Sequence, residues 1–220
     1  MAAVATHPIL MKMSFYVTYV FLITTGSVTF IEALSNKIPE LRHIMNIETV
    51  ISIIAGFFYS QFVARLNEKP NYSQMLQTRY LDWSITTPFM LLSLCLALGY
   101  NIKKKLTLPV LLSIIAMNYG MLLLGYLGEH NKIDKRLALV LSFACFIAMY
   151  AIIYMVFVHG YSNLTNLVIF SIFVTVWSIY GFVYYAKDET KNITYNILDL
   201  FAKCFTGIFF WMYFTKIVTI

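Results

Sequence analysis

Apolar positions in this chain come in long runs separated by short polar stretches. Seven such runs lie near 11–34, 43–65, 73–98, 107–127, 137–158, 163–186 and 193–218. A helix rises about 1.5 Å per residue, so about 20 apolar residues cross the hydrocarbon of a bilayer. Each run meets that length. None shows the short alternating segments of a transmembrane barrel. The connections are short, so the pattern predicts an all-α bundle of seven transmembrane helices forming one domain over 1–220. No internal repeat is visible, which weighs against a transporter built from inverted halves. The first ten residues lack a charged start and a cleavage pattern, so the first run is expected to insert uncleaved.

Composition agrees with the pattern. The chain is 60% hydrophobic and 12% charged, against about 25% charged in soluble domains. That excludes a soluble globule. The net charge of +6 is spread over loops and helix ends, most densely at Lys103, Lys104 and Lys105. Membrane-surface electrostatics account for it, and no nucleic-acid partner is expected. Lys132, Lys135 and Arg136 lie at the opposite end, so basic residues do not orient the bundle. Cys95, Cys145 and Cys204 all fall inside apolar runs without metal-ligand spacing. They read as small packing residues, and no metal site is expected.

Two runs carry charge at depth. The seventh holds Asp199 and Lys203, four residues apart and therefore on one helix face. A charge at bilayer depth is costly, so such a pair is a functional candidate by default. The plain alternative is an ion pair that only joins helices. A lysine kept dry can lose its proton and attack a carbonyl, which points to a Schiff base. In the third run, Arg79, Asp82, Thr86 and Ser93 share one face. Ser93 lies about 16 Å beyond Asp82 by the helix rise. Arg79 and Asp82 also read as an internal salt bridge. Pro88 frees a backbone carbonyl, which a nearby threonine can satisfy. Two cations, Lys203 and Arg79, then face two anions, Asp82 and Asp199, and the buried charge closes at zero, as a low-dielectric interior requires.

The remaining polar positions are less decided. Glu32 reads as interfacial, while Glu48 is open between an interfacial residue and an inward-facing proton carrier. Gly120 and Gly125 suit close helix packing or room for a flat ligand. Phe143, Phe146 and Met149 read as core. Trp177, Tyr180 and Tyr184 recur at helical spacing, a stripe more often core than a cofactor wall. Trp83 would add a flat wall on a second helix.

Taken together, R-Y-L-D-W-S-I-T-T-P in the third run, W-S-I-Y in the sixth and D-L-F-A-K in the seventh resemble a type-1 microbial rhodopsin. The resemblance covers the whole bundle. The short loops and the Asp82, Thr86, Ser93 triplet look most like the rhodopsins of giant algal viruses. It implies all-trans retinal bound as a protonated Schiff base at Lys203. It matches Asp82 and Asp199 to the counterions, Asp82 also to the proton acceptor, Arg79 to the shuttling arginine and Thr86 to the acceptor's hydroxyl partner. Trp83, Thr87, Met90, Met121, Gly125, Trp177 and Tyr180 match positions enclosing the retinal. Tyr59 and Tyr180 match tyrosines bonding the second counterion.

Three positions depart from the pump members of the family. Ser93 stands where a carboxylate proton donor is usual, and serine supplies no proton near neutral pH. Lys191 stands where acidic release groups are frequent, and Gly181 replaces a proline. Glu48 would substitute as donor. The resemblance favours a light-driven outward proton pump. The alternatives are a light-gated cation channel, with Glu48, Asn196, Asn118, Thr24 and Thr25 lining a wet path, and, behind both, a photosensory receptor. None of these is an enzyme. The expected partners are retinal, the bilayer and protons or small cations, with homo-oligomerisation left open. The expected N-terminus is extracellular.

Overall fold

The computed structural model describes residues 8–218; residues 1–7 and 219–220, with most of the stretch read for a cleavage pattern, lie outside it. The described residues form helices joined by short connections, without strands. The helices are α1 (Ile9–Ser35), α2 (Pro39–Ala64), α3 (Tyr72–Asn101), α4 (Leu108–Glu129), α5 (Lys135–Phe157), α6 (Leu164–Val183) and α7 (Asp188–Phe214). All seven are long and apolar enough to cross a membrane. Side chains such as Ile23, Phe57, Leu123, Ile147 and Phe182 stand exposed along their outer faces. Lipid, which needs no polar surface, suits such faces, and every backbone group must then be bonded internally. The chain is a multi-pass integral membrane protein.

Helix starts use local chemistry that hydropathy does not see. Asn71 caps α3 by accepting from Gln74 N at 3.1 Å, and Asp134 caps α5 by accepting from Arg136 N and Leu137 N. Asn163 does the same for α6 through Asn166 N at 2.9 Å. Each cap satisfies amides that have no partner within the helix. α2 begins four residues before its apolar run, with Pro39 in the first turn, where its missing N–H costs nothing. α7 begins five residues early, with Asp188 and Glu189 opposing the positive end of the helix dipole. α6 ends at Val183, three residues before its run does.

α3 is the central helix, packed against α2, α4, α5 and α6, while α1 packs on α2 and closes against α7. Pro88 does not break α3. The carbonyl it frees, on Ser84, accepts a hydrogen bond from Tyr119 of α4 at 3.1 Å. The threonine expected there behaves otherwise: Thr87 donates to Trp83 O at 2.7 Å. Within α7, residues Leu200–Phe205 form one π-helical segment, and Lys203 lies inside it. π segments widen a helix locally and concentrate at functional sites.

Candidate retinal site and its charge network

The lysine amine sits at mid-bundle, fully enclosed. Lys203 Nζ donates to Asp82 Oδ2 at 2.6 Å and lies 3.6 Å from Asp199 Oδ2. The pair on different helices is therefore tighter than the four-residue pair within α7. Thr86 donates to Asp82 Oδ1 at 3.3 Å, as the spacing on α3 allows. Asp199 takes three further donors: Tyr59 Oη at 2.9 Å, Tyr180 Oη at 2.7 Å and Trp83 Nε1 at 3.4 Å. Charge-assisted bonds of this kind are about twice as strong as neutral ones.

Arg79 pairs with Asp199, at 3.8 Å, rather than with Asp82 as an internal salt bridge of α3 would require. Its side chain is drawn toward α7. Nε donates to Asn192 Oδ1 at 3.0 Å, and Nη2 donates to Asn192 O and to Asn196 Oδ1. The rings of Phe15, Tyr59, Phe62 and Tyr195 surround the guanidinium at 5.1–6.0 Å from their centroids. This weakly hydrated cation can be kept dry by such faces. Two cations and two carboxylates thus occupy one buried cluster, and the expected balance of charge holds.

Beside Lys203 runs a pocket with about 800 Å³ of space between its walls, the part that opens outward included. Trp83, Thr87, Met90, Met121, Gly125, Trp177 and Tyr180 all line it, as do Asp199 and Lys203. Tyr59 does not; it reaches the site through hydrogen bonds to Asp199 and Asn196 and through its ring beside Arg79. Phe143 and Phe146, read as plain core, are cavity wall, and so is the whole aromatic stripe of α6, Tyr184 included. Gly181 belongs to the same wall, and a Cβ there would strike the ring of Phe143. Ser142 and Tyr195 were not singled out by sequence. Ser142 carries no pattern beyond a small residue in an apolar run, and Tyr195 sits one turn before Asp199.

These walls fit retinal. The cavity is apolar and walled by aromatic rings, it has one amine at its end, and two carboxylates stand beside that amine. An aldehyde with a flat hydrocarbon body matches each of those features.

On the far side of Lys203, Glu48 is only 2% exposed and so faces inward. It accepts a hydrogen bond from Ser93, itself fully buried. Asn118 donates to Thr87 Oγ at 2.8 Å. Thr25 is buried and lies 3.4 Å from Cys204 O, but Thr24 is exposed and bonds only within its own helix. Asn196 lies with Arg79, not with Glu48. Of the residues named for a wet path, Glu48 and Thr25 converge at Gly207, while Thr24, Asn118 and Asn196 lie elsewhere. Leu22, Ala55 and Cys204, all fully buried, occupy the α1, α2 and α7 interface. Lys191 lies buried against Glu129 of α4, a partner that sequence reading missed because a glutamate ending a helix looks interfacial. Glu32 stays half-buried near the end of α1 and accepts from Asn36 Nδ2 at 2.8 Å. Of the three cysteines, Cys95 and Cys204 are buried and Cys145 half-buried, all as free thiols.

Comparison with known proteins gives the family. The family model for bacteriorhodopsin-like proteins matches residues 10–217. The crystal structure of viral rhodopsin OLPVRII superposes with a TM-score of 0.90 at 44% identity, covering 96% of this chain and 100% of that one. Opsin-1 of Neurospora crassa is 27% identical over 155 residues, 63% of this chain and 49% of its own. The chain thus spans about half the length of that curated relative. The light-driven proton pump of Coccomyxa subellipsoidea shares the fold, with a TM-score of 0.77 at 19% identity, covering 94% of this chain and 99% of that one. The chain belongs to the bacteriorhodopsin-like family: it is a type-1 microbial rhodopsin, similar to the viral ones.

Proposed function

We propose that this protein is a light-driven outward proton pump carrying all-trans retinal on Lys203. The observation that carries the reading is an asymmetry about the lysine. On one side, Asp82 Oδ2 lies 2.6 Å from Nζ. On the other, a buried carboxyl, Glu48, accepts a hydrogen bond from Ser93, eleven residues beyond Asp82 on α3.

Bound to Lys203, retinal supplies light absorption, isomerisation and an imine nitrogen that carries a proton. The chain's residues then supply direction. Asp82 accepts that proton at Oδ2, and Thr86 steadies its other oxygen. Asp199, held by Tyr59, Tyr180 and Trp83, keeps its negative charge and fixes the lysine end of the site. Arg79 answers the change of charge between the two carboxylates and the exit. Glu48, oriented by Ser93, returns a proton from the opposite side, the general acid that Ser93 alone cannot be. A pump needs the two sides never to be wet together, which an open channel does not.

With an extracellular N-terminus, the Arg79 end faces outward and the Glu48 end faces the cytoplasm. Photocurrents at several voltages test the proposal. A pump keeps an outward current near zero driving force. A current that reverses with the ion gradient replaces the pump by a light-gated cation channel.

A further inference from the structure

One buried charged cluster takes no part in that transport. Glu129, the last residue of α4, receives Lys191 of α7 on Oε1 at 2.7 Å and Lys135 of α5 on Oε2 at 3.2 Å. The side chains of Glu129 and Lys191 are 5% and 6% exposed, and that of Lys135 is 32% exposed. Tyr184, directly after α6, lies beneath both lysines, with ring-centroid distances of 4.8 Å from Lys135 and 5.9 Å from Lys191. Its hydroxyl donates to Gly125 O of α4 at 3.1 Å. Four helices meet at this point, although α4 and α7 otherwise scarcely touch.

The register of the cluster is informative. Glu129 lies four residues beyond Gly125, Lys135 four before Leu139, and Lys191 four before Tyr195. Gly125, Leu139 and Tyr195 all line the cavity, and Tyr184 lines it directly. Every charged member thus stands one turn, about 6 Å, beyond the wall on its own helix. Together they form the layer across the Arg79 end of the cavity, with water reaching Lys135 from outside. Desolvating such charges is costly, so a buried pair is weak evidence for stability and asks for another reason.

We propose that Glu129, Lys191 and Lys135 are positioning residues of the retinal site: an ion-paired cap that closes the Arg79 end of the cavity and controls what reaches Lys203 from that side. The inference rests on retinal being linked to Lys203. Two cations on one carboxylate make a directional joint among four helix ends. Removing the carboxylate leaves Lys191 buried without its partner. Water must then enter to solvate it, and the layer opens.

The test is bleaching by hydroxylamine in the dark, which reads access to the linkage rather than transport. Glu129→Gln should bleach at least about tenfold faster than the native protein, as a gap of about 1.4 kcal/mol in access would give. Its retinal-free form should take up added retinal faster as well. The exchange Glu129→Lys with Lys191→Glu should restore slow bleaching, whereas Tyr119→Phe, which loosens the helices elsewhere, should leave it slow. Unchanged bleaching in a Glu129→Gln protein of normal colour overturns the cap. If that variant does not fold, Lys135→Gln at the exposed edge decides: a severalfold acceleration supports the cap and an unchanged rate overturns it. A native protein that never takes up retinal overturns the cap and the retinal reading together, so the two failures are distinct.

Discussion

On the Arg79 side of Lys203, polar groups are bound in excess. Asp199 alone receives Tyr59, Tyr180 and Trp83 and stands beside both cations. On the Ser93 side, one buried carboxyl, Glu48, rests on one hydroxyl donor. The difference teaches how direction is built. A preorganised network holds charge without moving, and so stabilises it where it appears. A lone carboxyl with one donor can exchange its proton without dismantling a network. On the pump reading, the first side would receive and hold charge and the second would deliver a proton once per cycle.

The comparison fails altogether if Lys203 is not the attachment point. Lys203→Ala protein should stay colourless after incubation with retinal; visible absorption in that variant removes the centre from which the two sides are defined. Next in size is Asp82→Asn. With the carboxylate that localises positive charge at the nitrogen gone, absorption should shift to the red and outward current should vanish. Unchanged absorption would move the counterion role to Asp199.

The Ser93 side is tested by Glu48→Gln. Return of the linkage proton after a flash should slow on the order of 10²-fold, the usual worth of a positioned general acid, and added azide should restore it. Unchanged kinetics with a reduced steady photocurrent would instead make Glu48 part of a channel. Ser93→Ala, which removes one hydrogen bond worth about 1 kcal/mol, should slow the same step about fivefold. The smallest effect belongs to neither side. Tyr119→Phe leaves the Ser84 carbonyl without its donor, and the melting temperature should fall by about 2–4 °C for a loss of about 1 kcal/mol. Altered proton kinetics in that variant would show that the Pro88 joint, too, belongs to the transport path.

The bundle was legible in the chain because lipid imposes one rule on every helix: about 20 apolar residues in a row. Lys203, Asp199, Asp82 and Arg79 were legible for the same reason, since charge inside such a run has to be answered by opposite charge. Helix ends were less legible. Pro39 and Asp188 start their helices through capping and dipole chemistry in polar turns that a hydropathy pattern passes over.

Tertiary structure decided the partners. Spacing on α3 put Arg79 beside Asp82, yet Arg79 turns to Asp199, because Asn192 and Asn196 of α7 hold its guanidinium. Nothing in the spacing singled out Tyr119, yet it answers the carbonyl that Pro88 frees. Glu48 and Glu129 both lie near helix ends in sequence, and only packing separates them from interfacial glutamates such as Glu32. A hydrogen bond or ion pair acts over a few ångströms across helices far apart in the chain. Periodicity within one helix determines which face a residue occupies, but not which residue of another helix it meets.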